Sequence, residues 1–174
     1  MNPRTTLYIG GARSGKSRLA EDAARASGLA LRYIATAAPG DAEMVERIAH
    51  HRKKREGFGW ETTEAFYNLP EAIVAQSRPD TVVLVDCLTL WLTNIMLVER
   101  DIALAREALI AAIDVVPGPV HLVSNEVGLG LVPETPLGRA FRDEQGRLNR
   151  KIAAVVPNVV FVAAGLPLLM KGTV

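Results

Sequence analysis

The segment Gly10-Gly11-Ala12-Arg13-Ser14-Gly15-Lys16-Ser17 constrains the fold of this chain more than any other. It matches G-x-x-x-x-G-K-[ST], follows the apolar run Thr6-Leu7-Tyr8-Ile9, and opens a run with Leu19, Ala20, Ala23 and Ala24 on one face. A strand, a Gly-rich turn and a helix in this order let backbone N–H groups converge on phosphate oxygens, and the helix N-terminus adds a favourable dipole. Lys16 is placed to reach β/γ-phosphates and Ser17 to set its hydroxyl on Mg²⁺. Reading the segment as a Gly-rich turn with a chance Lys-Ser pair leaves both flanks unexplained.

Strands and helices alternate through the rest of the chain. The pattern predicts a helix over Lys16 to Ser27 with Gly28 at its C-terminal cap, a strand over Leu31 to Ala35, and a helix capped by Asp41 and running to about Arg55. A short strand follows at Trp60 to Thr63, then a helix over Asn68 to Gln76 and a continuous apolar strand at Thr81 to Val85. Helices over Leu88 to Val98 and Ile102 to Asp114 break near Asp101. Val120 to Ser124 is a strand, about Leu137 to Val155 a helix, and Val159 to Ala163 the last strand. Such alternation implies βαβ crossovers and an α/β fold: a mostly parallel sheet with helices on both faces, in one domain spanning 1–174. Ligands in these folds bind beyond the carboxyl ends of the strands, which here read Gly10-Gly11, Thr36, Asp86 and Asn125-Glu126.

Composition removes several classes. With 20 Lys+Arg against 19 Asp+Glu the formal charge is +1, so no bulk field draws the chain to nucleic acid or anionic membrane. One cysteine excludes an intramolecular disulfide framework, and three histidines leave little for a His-based metal centre. No apolar run approaches the roughly 20 residues of a membrane span. The segment MNPRTTLYIG lacks a signal pattern, which makes the cytoplasm the expected compartment.

Three further segments carry chemistry. Asp86 ends the run Val82-Val83-Leu84-Val85, where a carboxylate either partners the Mg²⁺ of a phosphate-loop protein or caps the next helix. Arg47-Ile48-Ala49-His50-His51-Arg52-Lys53-Lys54-Arg55 places His51 beside the apolar stripe of Met44 and Ile48, and His50 on the polar side. A neutral imidazole is a competent nucleophile toward phosphorus, and its cationic neighbours offset phosphate charge; the same segment also reads as a solvated basic helix end. In Ser124-Asn125-Glu126-Val127-Gly128-Leu129-Gly130, Glu126 is a candidate general base or Mg²⁺ partner, and Asn125 a candidate donor to phosphate or substrate. A loop whose polar side chains satisfy its own backbone is the other reading. Arg139, Arg142, Arg147 and Arg150 either face the same pocket or form an exposed helix face.

Together these segments resemble one family, the bifunctional adenosylcobinamide kinase/adenosylcobinamide-phosphate guanylyltransferase of cobalamin synthesis. The resemblance rests on GGARSGKS at 10–17, YIATA at 33–37, DAEMVERIAHHRKKR at 41–55, VDCLTLWLTN at 85–94, and VSNEVGLGLVPETPLGRAFRDEQGRLNRKIA at 123–153. It implies a RecA-like phosphate-loop fold and a homotrimer. It implies phosphorylation of the aminopropanol hydroxyl of adenosylcobinamide by ATP or GTP. Transfer of GMP from GTP through a guanylyl-histidine then gives adenosyl-GDP-cobinamide. On this sequence the nucleophile matches His50. The family's nucleotide contacts fall on Gly10 to Ser17, on Thr36, Ala37 and Ala38, on Lys53, Lys54, Arg55 and Glu56, on Glu64 and on Asp86. Phosphorylation needs the γ-phosphate near the hydroxyl and guanylylation needs the α-phosphate near His50, so either segment 41–55 moves or the nucleotide takes two poses. Two other readings explain part of the pattern. A monofunctional small-molecule kinase gives His50 no role, and a RecA-like ATPase or nucleic-acid-binding module is opposed by the net charge and by an aromatic content of 5%.

Overall fold

The computed structural model describes residues 4–40 and 42–172. Its elements are β1 (Thr6–Gly10), α1 (Lys16–Ala26), β2 (Ala30–Ala35), α2 (Ala42–Arg55), β3 (Glu61–Glu64), α3 (Leu69–Gln76), β4 (Thr81–Asp86), α4 (Leu88–Leu97), α5 (Ile102–Val115), β5 (Val120–Asn125), α6 (Pro136–Val155), β6 (Asn158–Ala163) and β7 (Leu166–Lys171). Local chemistry accounts for several boundaries. The Asp101 carboxylate accepts from Leu104 N at 3.0 Å to start α5. Thr135 accepts from Gly138 N at 3.1 Å to start α6, whose first residue is Pro136. Gly28, at φ 69°, takes the left-handed conformation just beyond α1. Asp41, the expected cap of α2, lies outside the described residues.

The seven strands order as β3-β2-β4-β5-β1-β6-β7. All neighbours pair in parallel except β6 and β7. That last strand departs from the sequence expectation, which ends at β6. Its turn, Ala164-Gly165, has both residues at positive φ (52° and 80°), the geometry of a two-residue hairpin, but Ala164 is not the Asn or Asp that usually announces one. Every residue of β7 is exposed, so it also lacks the half-buried alternation of a recognisable strand. Lys171 fastens its end: Nζ donates to the carbonyls of Ala153, Ala154 and Val156 at 2.9, 3.1 and 2.7 Å, which satisfies the C-terminal end of α6.

The central strands of the sheet are covered on both faces, which is why β4 reads as an unbroken apolar run. On one face Leu7, Ile34, Val83, Val85 and Leu122 pack under α3 to α6, with Trp91 and Ile152 among the helix residues. On the other, Tyr8, Tyr33, Leu84 and Val123 pack against Ala20 of α1. The connection after β1 leaves toward β2 and the one after β5 crosses to β6. β5 therefore lies between β1 and β4, and its end, Asn125, stands between the phosphate loop and Asp86.

Candidate functional site

The loop from Gly10 to Ser17 closes largely on backbone. Ser14 N donates to Gly11 O at 3.3 Å, and Arg13 and Gly15 take positive φ of 56° and 96°. Glu126 N donates to Gly10 O at 3.0 Å, and Gly165 N, at the tip of the β6–β7 hairpin, donates to Ser14 O at 2.8 Å. Gly10 leaves no room for a side chain, because a Cβ there would lie 2.3 Å from Val162 O and 2.7 Å from Ser14 Oγ. Lys16 is buried, and its Nζ donates to Gly11 O at 3.0 Å. Ser14 Oγ is buried with no hydrogen-bond partner, an orphan polar atom in a loop shaped for an anion.

Two cavities meet at this loop. A cleft of about 1130 Å³ is lined by Arg13 to Ser17, with Glu21 of α1, His50 of α2 and Trp60. A smaller cavity of about 140 Å³ lies at the strand ends, bounded by Lys16, Ser17, Asp86, Asn125, Tyr33 and Arg55. Lys16 and Ser17 belong to both, so the phosphate loop is their common wall. Strand alternation turns Asp86 and Asn125 to the same side as Leu84 and Val123, toward α1. Arg55 is buried with its guanidinium 3.5 Å from the centroid of the Tyr33 ring, and its Nε and Nη1 have no hydrogen-bond partner.

The charge of Asp86 is felt throughout. Burial and then Asp86 push the Glu21 carboxyl up and the Tyr33 phenol well above its ordinary range. The same two causes hold the Cys87 thiol at about 11, so this buried cysteine stays protonated and is no nucleophile. A hydroxyl and a carboxylate, Ser17 and Asp86, are the hard oxygen donors that suit Mg²⁺. Among the described residues no group of three His, Cys, Asp or Glu could hold a metal ion. The residues fit an ion that takes its remaining ligands from phosphate and water.

Helix α2 brings the basic segment to these cavities. His50 lines the large cleft beside the phosphate loop. Arg52 donates to Glu64, and Arg52, Arg55, Glu56, Trp60 and Glu64 share a third cavity of about 410 Å³. Lys53 is exposed; the side chains of His51 and Lys54 lie outside the described residues. Ala37 lines the small cavity and Ala38 is half-buried beside it in sequence. The Thr36 hydroxyl is committed elsewhere: Oγ1 donates to Cys87 O at 2.7 Å and accepts from Cys87 N at 2.8 Å. Glu126 turns back on its own loop and accepts from Gly128 N. Arg142 donates to Gly128 O at 2.6 Å, and Arg139 donates to the carbonyls of Pro133 and Glu134 at 3.1 and 2.7 Å, so α6 braces that loop. Arg147 pairs with Glu144 and Arg150 is exposed.

Sequence reasoning did not find the side chains that hold the strand ends. Asn94 Nδ2 donates to Thr36 O at 2.8 Å and Phe66 O at 3.0 Å, Thr89 Oγ1 accepts from Asn125 N at 2.8 Å, and Asn149 Nδ2 donates to Asn125 O at 3.0 Å. The available signal was polar residues on apolar helix faces: Gln145 and Asn149 interrupt the buried stripe of Phe141, Leu148 and Ile152.

Known proteins resemble this chain in sequence and in fold. A family model described as "Cobinamide kinase / cobinamide phosphate guanyltransferase" matches residues 6–170. The bifunctional adenosylcobalamin biosynthesis protein CobP of Pseudomonas aeruginosa is 49% identical over 168 residues, spanning 95% of this chain and 96% of that protein. CobU of Escherichia coli, also named a bifunctional adenosylcobalamin biosynthesis protein, is 41% identical over 180 residues, spanning 95% and 98%. Among solved structures, the RadB recombinase superposes with a TM-score of 0.53 at 13% identity, over 92% of this chain and 74% of that one. The flagellar accessory protein FlaH from Methanocaldococcus jannaschii gives 0.54 at 12%, over 99% and 80%. At those identities the two structures speak for the fold alone, the RecA-like phosphate-loop architecture. Fold, phosphate loop and nearly full-length similarity agree: this chain belongs to the cobinamide kinase/cobinamide phosphate guanyltransferase family.

Proposed function

We propose that this chain phosphorylates the hydroxyl of adenosylcobinamide with ATP or GTP, then transfers GMP from GTP to the resulting phosphate by way of His50. One observation carries the reading: His50 and the phosphate-loop residues Lys16 and Ser17 line the same cleft of about 1130 Å³. In the first reaction the substrate hydroxyl attacks the γ-phosphorus and the bond to the β-phosphate oxygen breaks. Lys16 and the loop N–H groups hold the triphosphate, and Ser17 and Asp86 would hold Mg²⁺, which supplies charge neutralisation on the phosphates when bound. In the second, an imidazole nitrogen of His50 attacks the α-phosphorus and pyrophosphate leaves. An oxygen of the cobinamide phosphate then attacks that phosphorus, and the P–N bond breaks to regenerate His50. Dividing the displacement in two lets both substrates use one site in turn. Arg52, Lys53, Lys54 and Arg55 supply positive charge along α2, and Glu56 and Glu64 border the adjoining cavity. Glu126, one residue beyond β5, would serve as base once released from Gly128 N.

The reading includes two arrangements of α2 against the phosphate loop, or two nucleotide poses, because the α- and γ-phosphorus must each meet a different partner. It also includes a homotrimer. In support, β7 is an edge strand whose Leu166, Leu168, Leu169 and Met170 are all exposed, an apolar edge that a further copy would cover. Light scattering returning only monomer at micromolar concentration would remove the trimer. The deciding experiment for function incubates the protein with Mg²⁺ and GTP labelled at the α-phosphate, without corrinoid. Acid-labile, base-stable label should map to His50 and vanish in His50→Ala, while Lys16→Ala damages both activities. Absence of label where GTP demonstrably binds would sink the covalent mechanism and leave a kinase.

A further inference from the structure

Three side chains form a closed polar cluster between β5 and α6. Ser124 and Gln145 are fully buried and Asn149 is 6% exposed. Ser124 Oγ donates to Asn149 Oδ1 at 2.6 Å, and Gln145 Nε2 donates to the same oxygen at 3.0 Å and to Ser124 Oγ at 2.9 Å. Two donors on Oδ1 fix which way the Asn149 amide faces. The opposite flip would set N–H₂ against the Gln145 amide donor and oxygen against the Asn125 carbonyl. So oriented, Nδ2 donates to Asn125 O at 3.0 Å. From the other side, Thr89 Oγ1 accepts from Asn125 N at 2.8 Å, and the next residue's N–H donates to Gly10 O at 3.0 Å. Both backbone groups of Asn125 are thus held by side chains, at the point where β5 has run past its last pairing with β4, Asp86 to Val123.

The cluster is a poor device for stability alone. Gln145 Oε1 is buried with no hydrogen-bond partner, so an apolar residue at 145 would fill the space without an orphan acceptor. What the amides deliver is an orientation, and what they orient borders the small cavity with Lys16, Ser17 and Asp86. We infer that Asn149, oriented by Ser124 and Gln145, is a positioning residue for phosphoryl transfer: it fixes Asn125 between the phosphate loop and Asp86. The inference rests on the function proposed above and names a part of the same site.

The test compares Asn149→Ala with Ile152→Ala, a fully buried residue one turn along the same helix that lies outside the cluster. Amide hydrogen exchange should accelerate about tenfold at residues 125–128 in Asn149→Ala and stay near wild type there in Ile152→Ala, which loosens the core instead. Turnover of cobinamide with ATP, corrected for folded fraction, should fall about tenfold in kcat for Asn149→Ala, with the GTP Kd changed by less than about twofold. Ile152→Ala should lower the unfolding midpoint and leave kcat per folded molecule in place. Unchanged exchange at 125–128 overturns the inference, as does an equal kcat loss in both variants. Wild-type protein that turns over no cobinamide would instead remove the functional reading, and exchange would still decide whether Asn149 holds Asn125. If Asn149→Ala does not fold, Ser124→Ala removes one of the two orienting donors at almost constant volume and should give the same pattern, smaller.

Discussion

Two walls of one crevice are built by opposite means. The phosphate loop is eight consecutive residues held largely by backbone, with Lys16 Nζ on Gly11 O as a side-chain bond within it, and its outside supports, Glu126 N on Gly10 O and Gly165 N on Ser14 O, are backbone N–H groups. The ends of β2, β4 and β5 are held by side chains of Thr36, Thr89, Asn94 and Asn149, reaching from elements up to 58 residues apart. The first wall depends on glycine where a side chain would strike backbone or the chain takes a left-handed turn, as at Gly10 and Gly15. The second depends on single polar atoms, and swaps that keep shape while losing one hydrogen bond should open it.

The sharpest way to break the comparison is Gly10→Ala. The new methyl would lie 2.3 Å from the Val162 carbonyl, which is β6 backbone and cannot swing aside. Overpacking should cost about 3 kcal/mol and abolish GTP binding by calorimetry. Normal binding at a normal unfolding midpoint would mean the loop does not close against β6. Next comes Thr36→Val, which keeps the shape and strands the Cys87 N–H in a buried place, while the Cys87 carbonyl keeps Trp91 N at 3.2 Å. Urea denaturation should show a loss of about 2–3 kcal/mol, with Thr36→Ser recovering most of it. A loss in Thr36→Ser with none in Thr36→Val would shift the blame from the hydroxyl to the methyl.

The third and smallest effect concerns the other end of β5. His121 packs 5.6 Å from the Tyr8 ring and its Nδ1 has no hydrogen-bond partner, so β5 is held there by dry packing rather than by polar clamps. Burial lowers the His121 pKa to about 4 from 6.5. The unfolded chain takes up its proton below pH 6.5 and the folded chain only near pH 4, so stability is intact at neutral pH and falls across that window. Between pH 7 and pH 5 the loss should be about 2 kcal/mol. In His121→Leu the shift of the urea midpoint over the same range should shrink; an undiminished shift would place the acid sensitivity elsewhere.

The contrast between the two walls also explains what could be read from sequence. Gly10 to Ser17 is legible because its parts are neighbours in the chain, and Asp86 because it ends an apolar strand. Thr36 shows the limit. Its position beyond β2 marks it as facing a ligand, yet its hydroxyl bonds to Cys87, 51 residues away, and no spacing rule encodes that partner. Gln145 and Asn149 are visible as amides on an apolar helix face, but their partner, the end of β5, emerges only once α6 has crossed the sheet. β7 stayed hidden because its turn lacks the usual residues and its side chains face solvent on both sides.

The hairpin of β6 and β7 joins distant places. At its tip Gly165 holds the phosphate loop, and at its far end Lys171 grips the last carbonyls of α6, the helix that braces the loop beyond Asn125. The two strands act as a strut between the walls. Losing that hairpin would therefore release two supports at once, the one on the Ser14 carbonyl of the phosphate loop and the one on the last carbonyls of α6.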